Sequence, residues 1–138
     1  MRYVFACLVL LLVPTVEASG QLSVQVTVRS LHLDQSAGYN GWNFGLGLGW
    51  DVGPASIETG TYFNSERRMS FYLTAVRALP QDGHIGLSAA AGVVTGYGEG
   101  PRPLVAGAGY VGRRPRLRLL FLPTSGGVFS TQLKYPFQ

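Results

Sequence analysis

The chain has 138 residues, enough for one domain, with a formal charge of +4, 46% hydrophobic residues and only 13% charged ones. Nineteen glycines, seven Tyr, seven Phe and two Trp stand beside a mean hydropathy of +0.19, which excludes a disordered chain and is unusual for a soluble domain. The basic residues are scattered apart from Arg113, Arg114, Arg116 and Arg118, with no zinc-finger, RNA-binding or basic-helix pattern, so nucleic acid is not an expected partner.

The N-terminus has the form of a secretory signal. Arg2 supplies the positive start, Val4–Val13 the apolar run and Val16-Glu17-Ala18 a small-residue cleavage site, so residues 1–20 are expected to be removed. The apolar run is too short to span a bilayer as a helix. Cys7, the only cysteine, lies inside it, which leaves the mature chain without disulfide or thiol chemistry.

From there to the end, period-two alternation dominates. Leu22–Leu33 sets Val24, Val26 and Val28 against Ser23, Gln25, Thr27 and Arg29, and the phase slips near Ser30, as a bulge would make it. Asp34–Gly41 is a loop. Trp42–Val52 is the most telling stretch: Phe44, Leu46, Leu48 and Trp50 on one face, Asn43, Gly45, Gly47, Gly49 and Asp51 on the other. Gly53-Pro54 turns into Ala55–Asn64, with Ile57, Thr59, Thr61 and Phe63 opposite Ser56, Glu58, Gly60 and Tyr62. After Ser65-Glu66-Arg67, Arg68–Leu79 sends Met69, Phe71, Leu73 and Ala75 outward and Ser70, Tyr72 and Thr74 inward. Pro80–Gly83 is a turn.

His84–Tyr97 is read with Ile85, Leu87, Ala89, Ala91, Val93 and Tyr97 outward and Gly86, Ser88, Ala90, Gly92 and Val94 inward. Pro103–Gly112 is read with Leu104, Ala106 and Ala108 outward and Val105, Gly107 and Gly109 inward. Arg113–Pro115 turns into Arg116–Leu122, with Arg118 and Leu120 opposite Leu117, Leu119 and Phe121. After Pro123–Gly127, Val128–Phe137 sets Leu133, Tyr135 and Phe137 against Ser130, Gln132 and Lys134.

Eight strands of this length, with large apolar residues on one face and small or polar ones on the other, predict an all-β, eight-stranded, antiparallel, up-and-down transmembrane β-barrel over residues 21–138. A lipocalin-like or sandwich domain is the alternative, and it would need the apolar rows to be core. The expected setting is the bacterial outer membrane, the expected partners are phospholipid and lipopolysaccharide, and a monomer without metal or cofactor is expected. With both termini periplasmic, His32 at the end of the first strand meets Asn64 and Ser65 at the end of the third on the extracellular rim, roughly 10 Å away by strand spacing. A histidine near a serine is the minimum for base-assisted acyl chemistry, though such residues at a barrel rim are more often simply solvated.

The lumen raises two readings. Gly45, Gly47, Gly49, Gly60, Gly92 and Gly107 on the inward parity leave volume for a slim ligand such as an acyl chain. Alternatively, they make room for Tyr62, Tyr72 and Arg118, while Arg29, Asp51, Glu58, Arg118 and Lys134 form an ionic network that fills the periplasmic half.

His84-Ile-Gly-Leu, Ala91-Gly-Val-Val-Thr, Pro103-Leu-Val, Gly109-Tyr, Leu119–Pro123 and the Tyr135–Phe137 ending resemble the C-terminal half of the lipid A palmitoyltransferases; Tyr39-Asn40, Phe44–Gly49 and Asn64-Ser65 resemble the N-terminal half. The resemblance implies an outer-membrane barrel that transfers an acyl chain from phospholipid to lipid A and measures that chain in its lumen. It places His32 at the family's catalytic His, Ser65 at its Ser and Asn64 where the family has Asp. An amide cannot stabilise a charged imidazole as a carboxylate does. The family's N-terminal amphipathic helix has no counterpart here. A non-catalytic surface barrel on the same scaffold is therefore the competing reading, and a small ion pore a third.

Overall fold

The computed structural model describes residues 20–34, 36, 38–80, 85–111, 116–122 and 128–137. Residues 1–19 of the signal segment, the turns at 81–83, 113–115 and 123–127, and His84 lie outside them. The strands are β1 (Gln21–His32), β2 (Trp42–Val52), β3 (Ala55–Phe63), β4 (Met69–Ala78), β5 (Ile85–Val94), β6 (Arg102–Val111), β7 (Arg116–Leu122) and β8 (Val128–Pro136).

Each strand pairs antiparallel with its neighbours in sequence, and β1 pairs with β8 from Ser23↔Pro136 to His32↔Val128, closing a barrel. Closure gives every strand a neighbour on both sides, as a sheet in hydrocarbon requires; among the described residues the β6–β7 ladder runs from Gly107↔Phe121 to Val111↔Leu117.

The barrel is apolar outside and polar inside. Leu46, Phe44 and Phe71 are 64%, 61% and 62% exposed, whereas Gln25 and Glu58 are 1% and 2% exposed. A soluble sandwich or lipocalin-like domain would reverse this, so that alternative falls. The alternation in β2 follows directly from its sequence: Phe44, Leu46, Leu48 and Trp50 face out, while Asn43, Gly47 and Gly49 are buried.

Three details differ from the sequence reading. The bulge expected in β1 near Ser30 is present between Thr27 and Arg29, and its consequence for Arg29 is the departure. It returns Ser30 to the buried side and turns Arg29 outward, over the Trp42 ring at 5.2 Å, so Arg29 takes no part in a lumen network. In β6 the faces are inverted: Ala106 and Ala108 are buried at 3% and 4%, Val105 is 59% exposed, and Gly107 faces out. The register explains this, because Ala106 and Ala108 sit opposite the inward Ala90 and Ser88 of β5. Finally, β5 stops at Val94, and Tyr97, expected outward, turns into the barrel mouth.

Candidate functional site

The barrel interior has two halves. Near the Gly53-Pro54 turn, the Glu58 carboxylate is held bidentate by Arg118, with Nη1 to Oε2 at 2.7 Å and Nη2 to Oε1 at 2.6 Å. Lys134 Nζ donates to Glu58 Oε1 at 3.0 Å and to Asp51 at 2.5 Å, and Ser56 Oγ donates to Glu58 Oε1 at 3.1 Å. Each buried charge thus has an opposite partner, the condition under which ions persist in a low-dielectric interior. This is the expected network without Arg29.

Beyond the ionic layer, a cavity of about 750 Å³ runs to the opposite rim, where β1 ends; a second of about 180 Å³ lies on the turn side. Arg118 lines both. The larger cavity is two-sided. Val94, Leu104, Ala106 and Leu120, on β5–β7, form an apolar wall. Thr27, Ser30, Asn43, Tyr62, Ser130 and Gln132, on β8 and β1–β3, form a polar one.

The glycine row does not border this space. None of Gly45, Gly47, Gly49, Gly60, Gly92 and Gly107 lines the cavity. A Cβ at Gly45 would strike Tyr62, and one at Gly47 the Tyr72 hydroxyl. A Cβ at Gly60 would lie 2.6 Å from Gly47 Cα and 2.7 Å from the Tyr72 hydroxyl. These glycines are the seats of two tyrosines, and the empty volume lies elsewhere. Gly107, outward, has nothing within 4 Å of such a Cβ.

At the mouth, His32 and Ser65 line the same cavity, as the strand directions require. The two connections are tied together where the Asn40 amide donates to the Ser65 carbonyl at 2.9 Å. The His32 ring packs on Tyr39 with centroids 4.7 Å apart, and its Nε2 is buried without a hydrogen-bond partner among the described residues. No described hydrogen bond joins His32 to Ser65.

Asn64 is occupied elsewhere. Its Oδ1 accepts from the Glu66 and Arg68 amides, both at 2.9 Å, and its Nδ2 donates to Ser70 Oγ at 2.8 Å and to the Gly96 carbonyl at 2.9 Å. The side chain holds the β3–β4 connection, in which Arg67 takes a φ of 60°, and fastens it to the next loop. It leaves no amide group to orient His32. Asp34 is likewise turned to its own loop, accepting from the Ser36 amide at 3.0 Å and hydroxyl at 2.5 Å; these bonds hold its carboxyl below the usual range.

Sequence reasoning missed Tyr97. Its hydroxyl meets that of Tyr62 at 2.9 Å. Burial pushes its phenol up, and the Tyr62 and Ser65 hydroxyls pull it back. Gly96, at φ 88°, places it there, and the Gly96-Tyr97-Gly98 triplet was the available signal.

Among solved structures, the chain is similar to a de novo designed transmembrane β-barrel determined by solution NMR, with 16% identity and a TM-score of 0.69 over 90% of this chain and 99% of that one. A second structure, described as de novo design of transmembrane β-barrels, matches at 14% identity and a TM-score of 0.67, over 89% of this chain and all of the other. The fold is that of a transmembrane β-barrel. No protein-family profile matches the chain, and no curated protein does. The barrel's apolar exterior agrees with the fold, since its exposed Leu, Phe and Trp rows have the character of a lipid-facing surface.

Proposed function

We propose that this chain is a bacterial outer-membrane barrel, exported with a cleaved signal peptide, whose rim-side half-lumen receives the tail of a membrane amphiphile. The observation that carries the reading is the cavity of about 750 Å³, closed below by Glu58 and Arg118 and reaching the rim at His32 and Ser65. Its size is that of a small-molecule site, and each buried methylene contributes about 0.8 kcal/mol. The head of such an amphiphile remains at the rim, among Asp34, Tyr39, Glu66 and Arg102.

The place of His32 and Ser65 together at the cavity mouth favours a second reading, the acyl transfer implied by resemblance to the lipid A palmitoyltransferases, in which the His32 ring must first turn its buried Nε2 toward the cavity. Imidazole would take the proton of an acceptor hydroxyl as that oxygen attacks the tail's ester carbonyl. The new acyl–oxygen bond forms, the bond to the glycerol oxygen breaks, and the proton passes to the leaving alkoxide. Asn64 contributes to this only by shaping the connection that carries Ser65.

Native mass spectrometry of the barrel in amphipol, titrated with myristate or lysophospholipid, tests the first reading. One bound molecule is expected, lost in Leu104→Trp, which fills the apolar wall. Absence of binding, or equal binding in the variant, overturns it. Incubation with phospholipid and lipid A, wild type beside His32→Ala, tests the second: transfer in neither protein, or equally in both, eliminates it without touching the first.

A further inference from the structure

We infer that the cavity selects an acyl chain bearing a hydroxyl close to its head over a bare saturated chain; this rests on the tail-binding reading above. The apolar wall alone would suit any hydrocarbon. The opposite wall would not, because a bare chain filling the cavity strips water from hydroxyls and amides and returns no hydrogen bond.

Most of those polar groups are already committed. Ser30 is bonded to Asn43, Thr27 Oγ1 accepts from Gln132 Nε2 at 3.2 Å, and Tyr62 meets Tyr97. Ser130 is different. It is 9% exposed, it lines the cavity, and its hydroxyl has no hydrogen-bond partner among the described residues. Its hydroxyl is not fully buried, and the residue lines the cavity, so the group is within reach of a ligand there.

Its position gives the chemistry of the ligand. Ser130 stands on β8, paired with Ser30 on one side and Leu120 on the other, where the polar wall meets the apolar one. It lies two residues below the Val128↔His32 pair at the mouth, about 7 Å down at the rise of a strand. A tail entering with its head at the rim passes Ser130 early, and its far end lies among apolar side chains. A hydroxyl on the first few carbons can donate to and accept from Ser130, whereas one at the methyl end cannot reach it.

The test compares myristate, β-hydroxymyristate and ω-hydroxymyristate by competition on the full barrel in amphipol. β-Hydroxymyristate is expected to bind about tenfold more tightly than myristate, as one extra buried hydrogen bond requires. In Ser130→Ala that advantage should disappear, with myristate bound at least as tightly as by the wild type because no hydroxyl is then left unpaired beneath it. Ser130→Thr, which retains a hydroxyl, should preserve the advantage and shows whether Ser130→Ala acts through the hydroxyl. Equal affinity for all three chains, a preference for the ω-hydroxylated chain, or an advantage that survives Ser130→Ala overturns the inference and leaves tail binding standing. Failure of all three chains to bind removes both.

Discussion

The two halves of the lumen solve the same problem in opposite ways. On the turn side the interior is packed with charge: Glu58, Arg118 and Lys134 are all more than nine-tenths buried, and each is paired within 3.0 Å. On the rim side the interior is left open, with hydroxyls, amides and apolar side chains around a large cavity. The packed half separates the two cavities, and the open half leaves the larger one. On the proposed reading, function resides in what the rim half lacks, and stability in what the turn half contains.

Removing Glu58 is the most severe way to break that contrast. Glu58→Ala leaves Arg118 and Lys134 buried together with Asp51 as the remaining acid, and is expected to cost about 3–5 kcal/mol. Urea unfolding of the barrel in lipid vesicles measures it. Ser130→Ala, in the open half, removes a hydroxyl with no described partner and is expected to change stability by less than about 0.5 kcal/mol. Comparable losses in both would mean that the halves are not energetically distinct.

Asn64→Asp comes next. By resemblance it restores the family's acid beside His32; by structure it does the reverse. A carboxylate still accepts from the Glu66 and Arg68 amides, but it cannot donate to the Gly96 carbonyl, and one oxygen would face that carbonyl in a fully buried site. The expected loss is about 3 kcal/mol, with no gain in acyl transfer. A gain in transfer with unchanged stability would show that the side chain is free to turn toward His32.

These contrasts also show how far the sequence could be read. The ionic layer was legible apart from one member, because buried charges must find partners and all five lay on the inward parity of their strands in the sequence. Arg29 escaped because the bulge reverses parity one residue before it. That His32 and Ser65 share a rim followed from strand direction alone. The work of Asn64 did not, since its decisive acceptor, Gly96, is 32 residues away on another loop. In β2 a polar flank, Asn43 and Asp51, fixes which face is inward. β6 offers only Leu, Val, Ala, Gly and Tyr between Pro103 and Val111, so nothing in its own residues sets the phase. Its pairing with β5 does, and that is a tertiary fact.

The two glycine rows give the smallest and cleanest version of the comparison. Gly60 lies where β2 and β3 press against Tyr72, and a methyl there meets the Leu46 carbonyl at 2.5 Å and Gly47 Cα at 2.6 Å. Backbone cannot step aside as a flexible side chain can, so Gly60→Ala is expected to cost about 1–3 kcal/mol. Gly107 faces outward with open space around it, and there a methyl adds apolar surface and strand propensity where lipid would lie. Gly107→Ala is accordingly expected to be neutral, or stabilising by up to about 0.5 kcal/mol. The pair separates two explanations of glycine abundance in one barrel. If both substitutions were harmless, the inward glycines would be spare volume after all, and the acyl-chain space would extend along β2. If only Gly60→Ala is costly, the inward glycines where β2 and β3 meet serve to seat Tyr72 rather than to leave volume.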